Sequence, residues 1–375
     1  MRIYNKANVW DAAVKRFDWL FAEFPNVVVS VSGGKDSTII FHMALEAARR
    51  ANRLPLNVLF VDQEGEWEST IEQIRYVMYH PDVKPYWLQI PLKLFNATSH
   101  DQHWLMTWDE SQKDDWVHPY DPISLKENVY AETRFHAIFN AVLKHHFGDT
   151  PTANIGGVRA EESTSRLVGL THQVTYKWVT WGKKLDEAIG HYTFYPIYDW
   201  SYTDVWKAIA EHDWPYSNLY DLMHQYGVTI MNMRVSNLFH ETAVHQLFYL
   251  QEFEPETYAR LANRLRGVDM AGKLGADDYF VRELPFMFES WREYRDYLLE
   301  HLVDNPDWRD RMARRFTKHD YELGEVMGDV KYKAHVQSIL AHDWEGVKLV
   351  NFRNSKPTRG VARKLKKERE AANVQ

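Results

Sequence analysis

Six consecutive residues, Ser32-Gly33-Gly34-Lys35-Asp36-Ser37, carry the most legible chemistry in this chain. They follow the apolar run Val27-Val28-Val29-Ser30-Val31 and precede Ile39-Ile40-Phe41. A β-branched run bounded by glycine reads as a buried strand, and the segment beyond it as a helix. Two glycines at such a junction let the backbone turn tightly and bring its N–H groups up to an anion. The helix N-terminus adds partial positive charge and Lys35 a full one. Ser32 and Ser37 offer hydroxyl groups, as does Ser30 just upstream. Asp36, in the first turn, suits the helix dipole or a divalent cation such as Mg²⁺. Together they describe a cradle for pyrophosphate. An ordinary Gly-Gly turn beside a surface lysine would not require strand, serines and helix in this order. The wider glycine spacing of a Walker A loop is absent, as is the third glycine of the dinucleotide fingerprint.

A second group lies at Ile155-Gly156-Gly157-Val158-Arg159-Ala160-Glu161-Glu162-Ser163-Thr164-Ser165-Arg166, again after an apolar strand. Arginine's planar fork suits bidentate capture of phosphate or sulfate oxygens, so Arg159 and Arg166 are candidates to act on the same anion as Lys35. Taken alone, the segment reads first as a surface loop of Arg–Glu ion pairs. Its pairing with the upstream cradle favours the site. Other titratable groups invite weaker readings. His100, Asp101 and His103, and separately His240 and His245, lack clear helical i, i+4 spacing and are not expected to bind metal. His145-His146 ends a helix, where a cation suits the dipole, and Asp114-Asp115 belongs to a solvated loop.

Elements must hold these groups in place. The spacing predicts a helix over 5–24, strands over 27–32 and 56–62, a helix over 36–51 between them, a helix over 69–80 and a third strand over 85–90. Glu132–His146 is strongly amphipathic, Thr152–Val158 reads as a strand, and Tyr195–Trp200 as the segment closing the sheet. Thr203–Glu211 follows as a helix capped by Ser201 or Thr203. Strand–helix alternation of this kind implies a doubly wound, mostly parallel sheet. Residues 95–128, rich in Trp, Asp and His, are expected as an insertion over the sheet's C-terminal edge, shaping the acceptor pocket. Beyond about Pro215 the pattern turns helical, with helices over Ser236–Gln251, Pro255–Arg266, Phe288–Val303 and Trp308–Thr317. The expected division is an α/β domain over 1–230, a helical domain over 231–350 and a basic tail over 351–375.

Composition narrows the chemistry. The chain has 375 residues, no cysteine and a net charge of −7. Disulfides, thiolate nucleophiles and cysteine-bound iron–sulfur clusters are excluded. No stretch is long and apolar enough to cross a bilayer and the N-terminal segment lacks a signal core, so a cytoplasmic protein without membrane contact is expected. From Asn351 onward eight basic residues face two acidic ones, which puts +6 on the tail and −13 on the rest. Such a tail either contacts a nucleic acid through residues 353–369 or stays solvated.

The cradle matches in full the PP-loop pattern SGGxDS of the N-type ATP pyrophosphatases. With Gly157, Arg159, Glu162-Ser163 and Arg166, and with Tyr195-Pro196-Ile197-Tyr198-Asp199-Trp200 through Trp206 and Trp214-Pro215-Tyr216-Ser217-Asn218-Leu219-Tyr220, the chain resembles the PAPS reductase family over roughly residues 20–228. That family includes the ATP-binding small subunit of ATP sulfurylase. The resemblance implies a nucleotide site of Ser30, Ser32, Gly33, Gly34, Lys35, Asp36, Ser37, Gly156, Gly157 and Arg159, with Val61 and Asp62 flanking adenine and ribose. Lys35, Arg159 and Arg166 would be the catalytic groups. ATP or a PAPS- or APS-like nucleotide, with Mg²⁺ near Asp36, would be the cofactors. PAPS reductases attack with a C-terminal cysteine, which is missing here, so adenylyl transfer replaces reduction as the expected activity. The alternative is a nucleotide-binding regulatory or DNA-associated protein with little turnover. The segment Met233-Arg234-Val235-Ser236-Asn237-Leu238 is similar to the phage and prophage branch that includes the co-activator of prophage gene expression. That likeness implies a ParB-like partner, and a homo-oligomer is expected.

Overall fold

The computed structural model describes residues 7–95, 104–230, 233–235, 237–239, 246–265, 268, 283–340, 343 and 346–372. The chain divides into two units, one of residues 1–94, 106–238 and 249–261, the other of 95–105, 239–248 and 262–375. His100, Asp101, His103, His240 and His245 lie outside the described residues, as does the start of the helix expected at Ser236.

Along the chain run α1 (Val9–Glu23), β1 (Asn26–Ser30), α2 (Lys35–Arg50), β2 (Leu56–Val61), α3 (Glu68–Met78) and β3 (Val83–Leu88). Short strands β4 (Lys93–Phe95) and β5 (Trp104–Met106) follow, then α4 (Phe135–Phe147), β6 (Thr152–Ile155) and α5 (Thr164–Thr171). Next come β7 (Gly182–Asp186), β8 (His191–Phe194), α6 (Tyr202–His212), α7 (Leu219–Gln225), α8 (Leu247–Phe253) and α9 (Pro255–Arg264).

Strands β3-β2-β1-β6-β8 are parallel in that order, and β7 closes the edge antiparallel to β8. Alternation along β1 divides its valines between two faces. Val27 and Val29 pack with Phe17 of α1, Ile39 and Phe41 of α2, Ile74 of α3 and Val205 of α6. Val28 faces the other way, with Leu59, Leu88 and the α4 residues Ile138, Val142 and Leu143. The sheet is therefore doubly wound. From β1 the chain goes outward to β2 and β3 on one side, while β6 and β8 lie on the other. The carboxyl ends of β1 and β6 thus flank a topological switch point, where this architecture opens a crevice.

Two expectations need correction, one strand goes unforeseen and one open choice is decided. β6 stops at Ile155 because Gly156-Gly157 leaves the sheet, so Val158 is not in a strand. The strand in this region is β8, His191–Phe194, and Tyr195–Trp200 is a pair of turns in which Tyr198 N–H meets Tyr195 C=O and Trp200 N–H meets Ile197 C=O, both at 3.0 Å. Strand β7 escapes a sequence reading because Lys183 and Lys184 are exposed and leave no apolar run. Ser201 rather than Thr203 caps α6, in a capping box with Asp204.

The second unit is helical, with helices Trp291–His301, Pro306–Leu323, Gly328–Leu340, Val347–Asn354 and Lys356–Ala372. Asn305 caps the second of these and Pro306 occupies its first position. Trp291, Leu298, Met312, Phe316, Val336 and Ile339 form its core. Lys331, fully buried, reaches Asp320 at 2.8 Å, and Arg295 holds the same carboxylate at 3.0 Å. Among the described residues no helix is long and apolar enough to cross a membrane.

Candidate nucleotide site

The loop after β1 hands the chain to α2 with Gly34 as N-cap. Gly33 has φ +70°, and a Cβ there would lie 2.6 Å from the Thr70 methyl group, so α3 presses on the loop and only glycine fits. Ser37 Oγ and Thr38 Oγ1 both donate to the Gly34 carbonyl, at 2.8 and 3.2 Å, which fixes the first turn. The N–H groups of Gly34, Asp36 and Ser37 make no hydrogen bond among the described residues, so the helix end presents its donors outward.

The loop after β6 closes against this turn. A Cβ on Gly157 would lie 3.0 Å from the Asp36 carbonyl carbon, so the second glycine pair exists to let the two loops touch. That approach delivers Arg159, almost fully buried, onto Asp36 at 2.5 Å. Lys35 Nζ stands 3.2 Å from the same carboxylate. Arg159 also reaches Glu161 at 3.3 Å, and Glu161 accepts from the Tyr202 N–H at 2.7 Å, which ties the loop to the start of α6. Ser163 caps α5 by accepting from the Arg166 N–H at 3.2 Å, and the Arg166 guanidinium pairs with Glu162. Burial and the neighbouring Arg234 and Arg159 charges pull the Arg166 guanidinium below its ordinary value, while Asp36 opposes them.

Ser32, Gly34, Lys35, Asp36, Ser37, Gly157, Arg159 and Arg166 thus line one cleft. Gly156 lies behind it, under the Tyr195 ring, and Gly33 is turned toward α3. Ser30 is not in the cleft either, because its hydroxyl donates to Asn154 Oδ1 at 2.6 Å within the sheet. Sequence reasoning missed Tyr220, Glu161, Tyr202 and the segment Met233-Arg234-Val235, which complete the walls. Tyr220 ends the Trp214–Tyr220 motif. Its buried hydroxyl accepts from the Lys35 N–H at 3.1 Å, and its ring lies 5.2 Å below the Lys35 ammonium. Desolvation drives the phenol's pKa well up, so it stays a neutral hydrogen-bonding group.

Val61 and Asp62 sit elsewhere, at the end of β2. Asp62 is fully buried and accepts from Trp87 Nε1 at 2.9 Å, Gln89 Nε2 at 3.0 Å and the Glu64 N–H at 2.9 Å. His118 Nε2 is 3.3 Å from the same carboxylate. Burial alone would strip the imidazole of its charge, but Asp62 outweighs it and raises the His118 pKa. Glu66, close by and bonded to Asn237 at 3.1 Å, is pushed up to about 8 by burial and by the Asp62 charge. The segment 107–125 supplies His118 and Trp108, and Leu125 pairs with β3, so this segment lies at the carboxyl ends of β2 and β3. No residue of 107–128 lines the Lys35 cleft. His146 fails as a helix-end cation, since burial lowers its pKa and it bonds Tyr130 Oη at 3.0 Å.

Asp36 cannot be read as a resident metal ligand, because Arg159 and Lys35 both claim its carboxylate. Among the described residues no group of three or more His, Cys, Asp or Glu is arranged to hold an ion.

Residues 26–226 match the family model described as the phosphoadenosine phosphosulfate reductase domain, more than half of the chain. The chain belongs to the PAPS reductase domain family. Residues 227–356 match a second model, a domain of unknown function designated DUF3440. A protein of Escherichia coli K12, described as uncharacterized protein YbdN, is 28% identical over 311 residues, covering 80% of this chain and 76% of that protein. Among solved structures, a Candida glabrata FMN adenylyltransferase is 13% identical with a TM-score of 0.35, covering 58% of this chain and 62% of that one. This chain therefore spans just under two thirds of that adenylyltransferase. A PAPS reductase from Candida auris is 14% identical with a TM-score of 0.30, covering 59% of this chain and 93% of that one. An NMN synthetase from Francisella tularensis is 11% identical with a TM-score of 0.32, covering 75% of this chain and all of that one. This PAPS reductase domain contains no cysteine.

Proposed function

We propose that this chain binds ATP in the Lys35 cleft and transfers its adenylyl group to an acceptor oxygen, releasing pyrophosphate. The observation that supports this most is the convergence of an open helix N-terminus, Lys35 and Arg159 at the switch point, brought together by the close approach of Gly157 to Asp36. The acceptor oxygen attacks the α-phosphorus and the bond to the β-phosphate's bridging oxygen breaks. The electron pair leaves on pyrophosphate, and the acceptor's proton, where it has one, passes to solvent. The amides of Gly34, Asp36 and Ser37 and the Ser32 hydroxyl hold the departing pyrophosphate, while Lys35, Arg159 and Arg166 stabilise its growing charge. Catalysis of this kind is positioning and electrostatics, and it needs no thiol.

Calorimetry with ATP, followed by a pyrophosphate-release assay over sulfate, carboxylate and nucleobase acceptors, tests the proposal. ATP should bind, and one acceptor class should raise pyrophosphate release. Lys35→Ala should weaken ATP binding about 30-fold, the equivalent of ~2 kcal/mol for a charge-assisted contact. Arg159→Ala should lower turnover more than affinity. The absence of any heat with ATP overturns the site. Binding with no pyrophosphate from any acceptor overturns the transfer and leaves a nucleotide-binding protein.

A further inference from the structure

We propose that the exposed face of the helix Lys356–Ala372 is a docking surface for the phosphate backbone of double-stranded DNA. The helix is two-faced. Thr358, Ala362 and Leu365 turn toward the rest of the helical unit, and Arg369 lies 4.2 Å over the Tyr321 ring. The opposite side carries Lys356, Arg359, Arg363 and Lys367, all exposed, at spacings of three and four residues that align them in one stripe. None of the four has an ion-pair partner among the described residues, whereas Lys364 and Lys366 are paired with Glu368 and Glu370, at 3.9 and 3.7 Å. At the α-helical rise of about 1.5 Å per residue the stripe is about 17 Å long. That is enough to reach phosphates on both rims of a major groove about 12 Å wide.

Gly360 lies on the same side of the helix with a helical backbone, and a Cβ there would meet nothing. A glycine without a packing or conformational reason weakens a helix. Its absent side chain does let a partner's surface approach the backbone closely. The chemistry of the stripe selects the partner. It carries no aromatic ring on which unpaired bases could stack, which disfavours single strands. It carries no apolar side chain to enter a bilayer, and no apolar or aromatic core of the kind a protein interface needs. The local charge is also required, because outside residues 351–375 the chain is −13 and repels a polyanion.

The test uses the full chain and a fluorescein-labelled 20-base-pair duplex of mixed sequence, with anisotropy read between about 50 and 200 mM NaCl. Binding should weaken steeply with salt. The triple variant Arg359→Gln, Arg363→Gln, Lys367→Gln should flatten the slope of log K against log salt by about 2.7, at about 0.9 per lost phosphate contact. Circular dichroism should show its helix content intact. Lys364→Gln with Lys366→Gln, which removes the paired lysines, should have a smaller effect. The proposal is overturned if the duplex does not bind at the lowest salt, if the triple variant leaves the slope unchanged, or if a single strand of equal length binds more tightly. It is overturned equally if phosphatidylserine vesicles, rather than the duplex, show the stripe-dependent binding.

Discussion

Gly157 earns its place through what it lacks. Its hydrogen stands where a methyl group would collide with the backbone of Asp36, and that contact sets how Arg159 meets α2. Gly157→Ala should therefore displace the loop, lower ATP affinity at least tenfold by calorimetry, and cost about 1–3 kcal/mol of stability as an overpacked contact. A variant with unchanged affinity would show that the loop approach is incidental. The Asp62–His118–Glu66 cluster makes a different prediction. Both His118 and Glu66 hold their protons more tightly in the folded protein, Glu66 up to about 8 against an ordinary 4.5. The stability that the protonated Glu66 contributes is complete below its ordinary value and is lost as pH rises toward about 8, and that of His118 is lost as pH rises through its own raised value. Glu66→Gln removes the carboxyl from this balance. Its stability, read by denaturant titration at each pH, should gain on the parent's between pH 5 and pH 8, by at most about 4 kcal/mol at about 1.4 kcal/mol per unit. Parallel pH profiles for the two proteins would remove Glu66 as the responsible group.

Helix ends show which element-level features local sequence can and cannot reveal. Local sequence narrowed the cap of α6 to Ser201 or Thr203, and Ser201 takes it in a capping box with Asp204 three residues on. The start of α3 was not readable, because its cap comes from a distant segment. Glu254 accepts from the Glu68 N–H at 2.7 Å, the Ser69 N–H at 2.9 Å and the Ser69 hydroxyl at 2.6 Å. Glu254→Ala should cost about 1–2 kcal/mol by chemical denaturation, the range of a lost N-cap, and Glu254→Gln less. Strands follow the same division. Val27-Val28-Val29 announces a central strand buried on both faces, but the Lys183-Lys184 edge carries no such run. In helix Lys356–Ala372 an alanine at Gly360 should raise stability by about 0.5–1 kcal/mol, seen as a higher thermal midpoint of the helical unit.

At the scale of the molecule, each unit has its own hydrophobic core, and the cleft is built wholly within the first. Ile339→Ala, at a fully buried position of the helical core, should cost that unit about 2–5 kcal/mol while leaving ATP affinity unchanged. Scanning calorimetry paired with ATP titration checks this, and a loss of ATP binding would contradict it. The sequence alone was enough for the α/β alternation, the glycine loop between β1 and α2 and the lack of any cysteine, since these depend on residue type and on spacing within a few positions. It could not tell that Asp62 belongs to a buried carboxylate cluster, that the 107–128 segment lines another part of the sheet edge, or that Tyr220 closes the cleft. Those facts depend on contacts between residues tens to hundreds of positions apart, and packing sets such contacts while local periodicity carries no trace of them.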